Sequence, residues 1–305
     1  MRNLKTLSLI AGTFIAAAAT MSGSDARSDT TFVGGGLATF GDNIPADQVE
    51  FLSTPEHILA VTSSSSPSLI WETLEHGEKV ECLACIAPVS TLLYSETAQT
   101  REIAAWWLRR RILGVFGPGQ VYQQTINTLA SDGDPLRRSY AANALGEFLD
   151  FGGVQPLATA IATDQTPFVR AAAAAALGRM NSTGNGALSQ AMTDSDEGVR
   201  IAAIKAAGRV NTFTDEQTAA KLTGDVSPYV RRLGVQLLAD LRAKDTVASV
   251  MTLAQSDVDA NVRISACAAL GVFGDPTATA TLQGVAQNDT NSFVRDAATV
   301  ALRQL

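Results

Sequence analysis

The chain has 305 residues, a formal net charge of −7, 46% hydrophobic residues and only 6% aromatics. That length and apolar content suit one extended repeat array or two ordinary domains, and so few aromatics beside so many alanines imply thin layers between closely packed helices. The acidic balance, without a basic stripe or a glycine-rich phosphate loop, argues against nucleic acid as a partner and against nucleotide chemistry.

Residues 1–26, "MRNLKTLSLIAGTFIAAAATMSGSDA", open with Arg2 and Lys5, run apolar from Leu7 to Ala19 and end in small residues. This is the pattern of a secretory signal peptide cleaved near Ala19 or Ala26, and its core falls short of the roughly 20 residues of a membrane span. Its loss removes Arg2, Lys5 and Asp25, which leaves a net charge of −8. The expectation is an exported bacterial protein, periplasmic or extracellular, with no membrane insertion after signal removal. Residues 27–45 then read as a flexible linker. Residues 46–78 read as an N-terminal helical cap, with helices over Pro55–Val61 and Pro67–His76 and a loop at Ser63–Ser66.

The stretch "HGEKVECLACIAP" carries Cys82 and Cys85. Three residues apart on a helix, their Cα atoms lie about 5–5.5 Å from each other, within disulfide range, and an exported protein meets oxidising conditions. A redox-active pair is an alternative, since a helix N-terminus and Lys79 lower a thiol pKa, but the preceding strand and the Trp and Pro of thioredoxin-like sites are missing. A zinc site from His57, His76, Cys82 and Cys85 has suitable ligand types and only one familiar spacing. Ile86 stands where c-type haem attachment needs His. No catalytic triad can be assembled around His57 or His76.

From residue 79 to 305 the chain repeats. With the helix-embedded Arg as position zero, seven segments align on Arg101, Arg138, Arg170, Arg200, Arg231, Arg263 and Arg295, the last five intervals being 32, 30, 31, 32 and 32 residues. Such a period signals a solenoid. Four residues before the Arg stand Thr97, Asp134, Thr166, Asp196, Ser227, Asp259 and Asn291, all N-capping types, so a helix starts at each. Position plus three is Ala104, Ala141, Ala173, Ala203, Gly234, Ala266 and Ala298, never larger than a methyl side chain, which lets a neighbouring helix approach to about 8 Å. Shorter amphipathic stretches lie between, at Val121–Ala130, Val154–Ala162, Thr214–Leu222, Thr246–Gln255 and Thr277–Gln287. Each repeat is therefore a pair of antiparallel helices, and no segment shows the alternation of a strand.

Six residues before the Arg stand Asp132, Asp164, Asp194, Asp225, Asp257 and Asp289. The recurrence predicts a ladder in which each Arg bonds a turn Asp or carbonyl of its own or the adjoining repeat and holds the repeats in register. The competing reading is an exposed, dipole-complementing acid beside a snorkelling Arg.

The pattern Asp-x-x-x-x-Val-Arg-x-x-Ala-Ala-x-Ala-Leu-Gly, at Asp164–Gly178 and again, with Cys267 for the second Ala of the pair, at Asp257–Gly271, resembles the HEAT repeat in its short bacterial form, found also in phycobilisome-lyase-like proteins. The resemblance implies a right-handed all-α solenoid of about seven helix pairs, with second helices lining the concave side. Two enzyme precedents come with it. The deoxyhypusine hydroxylases hold di-iron with His-Glu pairs, whereas His57 and His76 are each preceded by Glu and followed by none. The bilin lyases work inside photosynthetic cells, which fits an export signal poorly.

On the second helices, column plus six is uniformly apolar and column plus five is mixed, which puts Trp107 in the core and turns Trp106 outward beside Arg109, Arg110 and Arg111. An outward Trp among arginines has the composition of an interface hot spot; the alternative is that it packs under the N-terminal segment. Columns plus one, plus five and plus nine form a stripe of Glu102, Trp106 and Arg110; Ser139, Asn143 and Glu147; Ile201, Lys205 and Arg209; Arg232, Gln236 and Asp240. The reading is a non-catalytic, cofactor-free scaffold that binds a partner protein through this stripe. The alternatives are a thiol-redox or enzyme-accessory protein using Cys82 and Cys85, or a bilin-lyase-like enzyme.

Overall fold

The structure is a computed structural model that describes residues 53–117, 119–181 and 184–305. The expected signal peptide and linker, and the cap before Ser53, lie outside the described residues. The chain divides into a unit ending at Thr39 and one running from Phe40 to Leu305, and everything below concerns the second.

Among the described residues there are sixteen α-helices and no strand. Two short helices, α1 (Pro55–Val61) and α2 (Pro67–His76), precede the repeats, each opened by a hydroxyl N-cap and a proline at the first helical position. Seven antiparallel pairs follow: α3 (Leu83–Thr91) with α4 (Ala98–Arg110), α5 (Gln120–Ser131) with α6 (Pro135–Phe148), α7 (Val154–Thr163) with α8 (Pro167–Met180), α9 (Asn185–Ala191) with α10 (Glu197–Ala207), α11 (Glu216–Lys221) with α12 (Pro228–Leu241), α13 (Val247–Ser256) with α14 (Ala260–Phe273), and α15 (Thr279–Asn288) with α16 (Ser292–Leu302). The array is an α-solenoid. Its second helices pack on one another much more extensively than its first helices do.

All seven capping residues hold the N-cap position of a second helix. In Asp134, Asp196, Ser227, Asp259 and Asn291 the side chain accepts a backbone N–H from the first turn; Thr97 and Thr166 sit at the cap without that bond. Helices α6, α8, α12 and α14 end at the same register on a left-handed residue, at Leu149, Asn181, Arg242 and Gly274, which tips the chain into the next first helix.

The small column at plus three is fully buried in every repeat, as are Val169, Val199, Val230, Val262 and Val294 immediately before the Arg. The glycine of the Ala-Leu-Gly signature has its own reason. A Cβ added to Gly146 would lie 2.8 Å from Cα and Cβ of Ala176, and one added to Gly178 would lie 2.7 Å from the same atoms of Ala206. Each glycine thus faces the plus-six alanine of the next repeat, at a distance where no side chain fits.

The link between α4 and α5 departs from the pattern. Arg111–Val115 forms a π-helical turn, which lies within the longer 37-residue interval from Arg101 to Arg138. Arg111 is fully buried there, not part of a surface cluster with Arg109 and Arg110. Its guanidinium lies 3.5 Å from the centroid of the Trp107 ring and donates to the carbonyls of Gly77, Glu78, Val80 and Trp107. Burial pushes its pKa down to about 10, against the pull of Glu81. Trp107 Nε1 also donates to the Gly77 carbonyl at 2.9 Å, so the α2–α3 connection is tied to the first second-helix by one stacked pair.

Candidate functional site

The turns between first and second helices carry one arrangement six times. Oδ1 of Asp132, Asp164, Asp194, Asp225, Asp257 or Asp289 accepts the N–H of the capping residue two positions on, at 2.8–2.9 Å. The backbone carbonyl of the same Asp accepts Nη1 of its own repeat's Arg at 2.7–2.9 Å.

Five of the six carboxylates then receive the Arg of the preceding repeat. Arg138, Arg170, Arg231 and Arg263 donate through Nε and Nη2 to both oxygens of Asp164, Asp194, Asp257 and Asp289, with Nε–Oδ2 at 2.7–2.8 Å. Arg200 reaches Asp225 through Nη2 at 3.0 Å; its Nε lies 2.8 Å from Oδ2 but points off the hydrogen-bond line. These side chains are 4–15% exposed, so the pairs are shielded from solvent. The Arg170 bond holds the Asp194 carboxyl below the usual range, and the Arg263 bond does so for Asp289, in each case outweighing burial. Burial acts against Asp164 and Asp257 more strongly, yet Arg138 and Arg231 still bring them down.

The ladder stops at its first end for a visible reason. Asp132 is taken by Arg137 of its own repeat at 2.9 Å, while Arg101 lies 3.9 Å above the Tyr140 ring and donates to the Ser95 and Glu96 carbonyls. Arg295, in the last repeat, keeps its own-repeat bond to Asp289.

The second-helix stripe is not uniform. Ser139 is buried, its hydroxyl donating to the Leu136 carbonyl, which removes it from any docking surface. Trp106 is half-buried against the core instead of standing clear of it. Glu102, Asn143 and Glu147 come together in a cavity of about 120 Å³ that Arg101, Tyr140 and Arg179 complete. Arg179 pairs with Glu147 at 3.0 Å, and Arg109 donates to the Glu147 carbonyl at 3.4 Å. Burial nonetheless pushes the Glu147 carboxyl upward, with Glu102 adding to it. Arg110 leaves this group for Glu81 at 3.0 Å. Arg179 was not singled out from the sequence, although it occupies the same plus-nine register as Arg110, Glu147, Arg209 and Asp240.

Farther along, Lys205 on α10, Arg209 in the turn that follows it, and Gln236 and Asp240 on α12 are exposed, and Arg232 is half-buried. Lys205 and Arg232 converge on the ring of Tyr229, a residue that column reasoning missed because it lies two positions before the Arg.

Cys82 and Cys85 form a disulfide at the N-terminus of α3, where the Cys82 sulfur caps the Cys85 N–H. Both are buried, and with both sulfurs in that bond neither is a thiolate ligand for zinc. Cys267 lies in the core and burial pushes its thiol up to about 12.

Stacked helix pairs, five successive steps of which carry an Arg–Asp rung, define an α-helical repeat protein. A sequence model of HEAT repeats matches residues 122–186, 154–224 and 216–303, more than half of the chain, and the chain belongs to the HEAT-repeat family. No curated protein matches it significantly in sequence. Among solved structures it resembles YibA of E. coli at 13% identity and TM-score 0.54, over 87% of this chain and 100% of that one. It also resembles a chain in the complex of Kap95p with RanGDP, at 13% identity and TM-score 0.59, over 82% of this chain and 41% of that one. Importin beta is similar at 13% identity and TM-score 0.55, with 85% and 47% covered. The chain thus spans less than half the length of those last two chains, and identities this low describe the fold alone.

Proposed function

We propose that the protein is an exported, non-catalytic scaffold whose second-helix face docks a partner protein. The observation that carries this reading is the division of labour within each second helix. Columns plus three and plus six are buried and made almost wholly of small residues, and the Arg–Asp rungs fix the step between repeats. Column plus five, by contrast, changes from Asn143 to Lys205 to Gln236 and is half-buried or exposed throughout. A rigid frame with a varied outward strip presents contacts at low ordering cost, which is the physical requirement for specific association. Export rests on the N-terminal pattern of residues 1–26.

A photo-crosslinking residue at Gln236, on the second-helix strip, should trap a partner in cells, and one at Ser249, on the exposed face of α13, should not. Equal trapping at both positions would remove the second-helix face from consideration. N-terminal sequencing of the protein recovered from the periplasm or medium tests export; a chain that retains residues 1–26 in the cytoplasm rules it out.

A further inference from the structure

The cations of the second-helix face fall into two groups. Around repeats one to three, Arg110 and Arg179 are ion-paired with Glu81 and Glu147. In repeats four and five, Lys205, Arg209 and Arg232 form no ion pair with any described carboxylate. They also cluster. Lys205 Nζ lies 5.7 Å and Arg232 Cζ 4.8 Å from the centroid of the Tyr229 ring, so two like charges from adjacent repeats are gathered on one half-exposed aromatic.

Three acids of the same two repeats are committed elsewhere. Glu197 accepts the Ser227 hydroxyl at 2.6 Å, Asp225 holds the Arg200 rung, and Asp215 caps α11. Asp240, farther along α12, is pushed up by burial alone, so no cation relieves it. In a chain whose net charge is −7, holding two cations on one ring with no carboxylate between them costs mutual repulsion that an incoming anion relieves.

We propose that this cluster seats an acidic segment of the partner protein, with Asp or Glu carboxylates bound by Lys205 and Arg232 at Tyr229 and by Arg209, four residues beyond Lys205. The inference rests on the reading of the second-helix face as a docking surface. Carboxylates fit better than a bare anion because a guanidinium fork donates to two oxygens in a plane, while the phenol ring gives an adjoining side chain an apolar seat.

The test uses the full chain and a fluorescein-labelled octaglutamate peptide, followed by anisotropy at low and moderate salt. Wild type should bind, more weakly as salt rises, and Lys205→Gln/Arg232→Gln should lose affinity by about tenfold or more, since two charge-assisted contacts are removed. The charge-matched pair Lys221→Gln/Lys244→Gln, away from the cluster, should bind as wild type does. Circular dichroism melts of both variants check that folding is intact. Equal binding by the Lys205/Arg232 variant overturns the proposal, as does a preference for a single-stranded RNA octamer or for phosphatidylserine vesicles that the same substitutions abolish. If Gln236 still traps a partner in cells while octaglutamate fails to bind, the docking face stands and the acidic class of its partner falls.

Discussion

Arg170 spans two turns at once: its Nε and Nη2 donate to both carboxylate oxygens of Asp194, 2.7 and 2.8 Å away in the next repeat, while its Nη1 donates to the carbonyl of Asp164 in its own. One guanidinium therefore couples three consecutive layers, because Asp164 is itself held by Arg138. Register along the array follows from this overlap of rungs more than from any single pair.

Removing one partner leaves the other charge shielded and unmatched. Asp194→Ala should destabilise by roughly 3–5 kcal/mol, whereas an Arg170→Met/Asp194→Leu variant should recover much of that loss. A double-mutant cycle in urea should return a coupling of roughly 1–3 kcal/mol. Coupling near zero would demote the rungs to surface decoration.

Acid should loosen the ladder. The carboxyls of Asp164, Asp194, Asp257 and Asp289 are lowered in the folded state. Their contribution is thus present above the unfolded carboxylate value of about 3.9 and is lost as pH falls through the folded values. Glu147 and Asp240, raised by burial, act in the opposite sense just above that range. The urea midpoint should fall between pH 5 and pH 2.5, and fall less in the Arg170→Met/Asp194→Leu variant. At the alkaline end, Cys267, raised to about 12 by burial, adds stability below the free thiol's pKa that is lost as pH climbs; Cys267→Ala should flatten that limb of the curve.

Glycine-to-alanine changes in helices ordinarily stabilise by about 0.5–1 kcal/mol. Gly284 in α15 meets nothing within 4 Å, and Gly284→Ala should raise the thermal midpoint. Gly178→Ala should lower it, at a cost of roughly 1–3 kcal/mol, since the new methyl meets the Ala206 backbone and the two repeats must separate. The same sign for both variants would show that the second helices are not in contact at Gly178.

The Cys82–Cys85 bridge closes a short loop at the start of α3. Replacing both with alanine should cost about 2 kcal/mol by the loop-entropy estimate. With Cys85 fully buried, the bond should resist mild reductant in the folded protein and yield once urea opens the chain. Ready cycling by a dithiol in the native state would instead favour a redox role for this pair.

Much of the architecture was legible in the chain because each helix writes its own local requirements at fixed spacing. The capping column from Thr97 to Asn291, the methyl-sized column from Ala104 to Ala298 and the periodic Arg and Asp are all demands within one turn or one helix, and residues 80–305 repeat them. What the tertiary structure decided is everything that depends on the step from one repeat to the next. It directs Arg170 to Asp194 across 24 residues, sets Gly178 against Ala206, draws Arg179 to Glu147, buries Arg111 under the α2–α3 connection and gathers Lys205 and Arg232 on Tyr229. Those pairings join residues whose separation in sequence carries no periodic signal of its own. The rise and rotation between stacked modules determine them, and that geometry arises only when two packed surfaces meet.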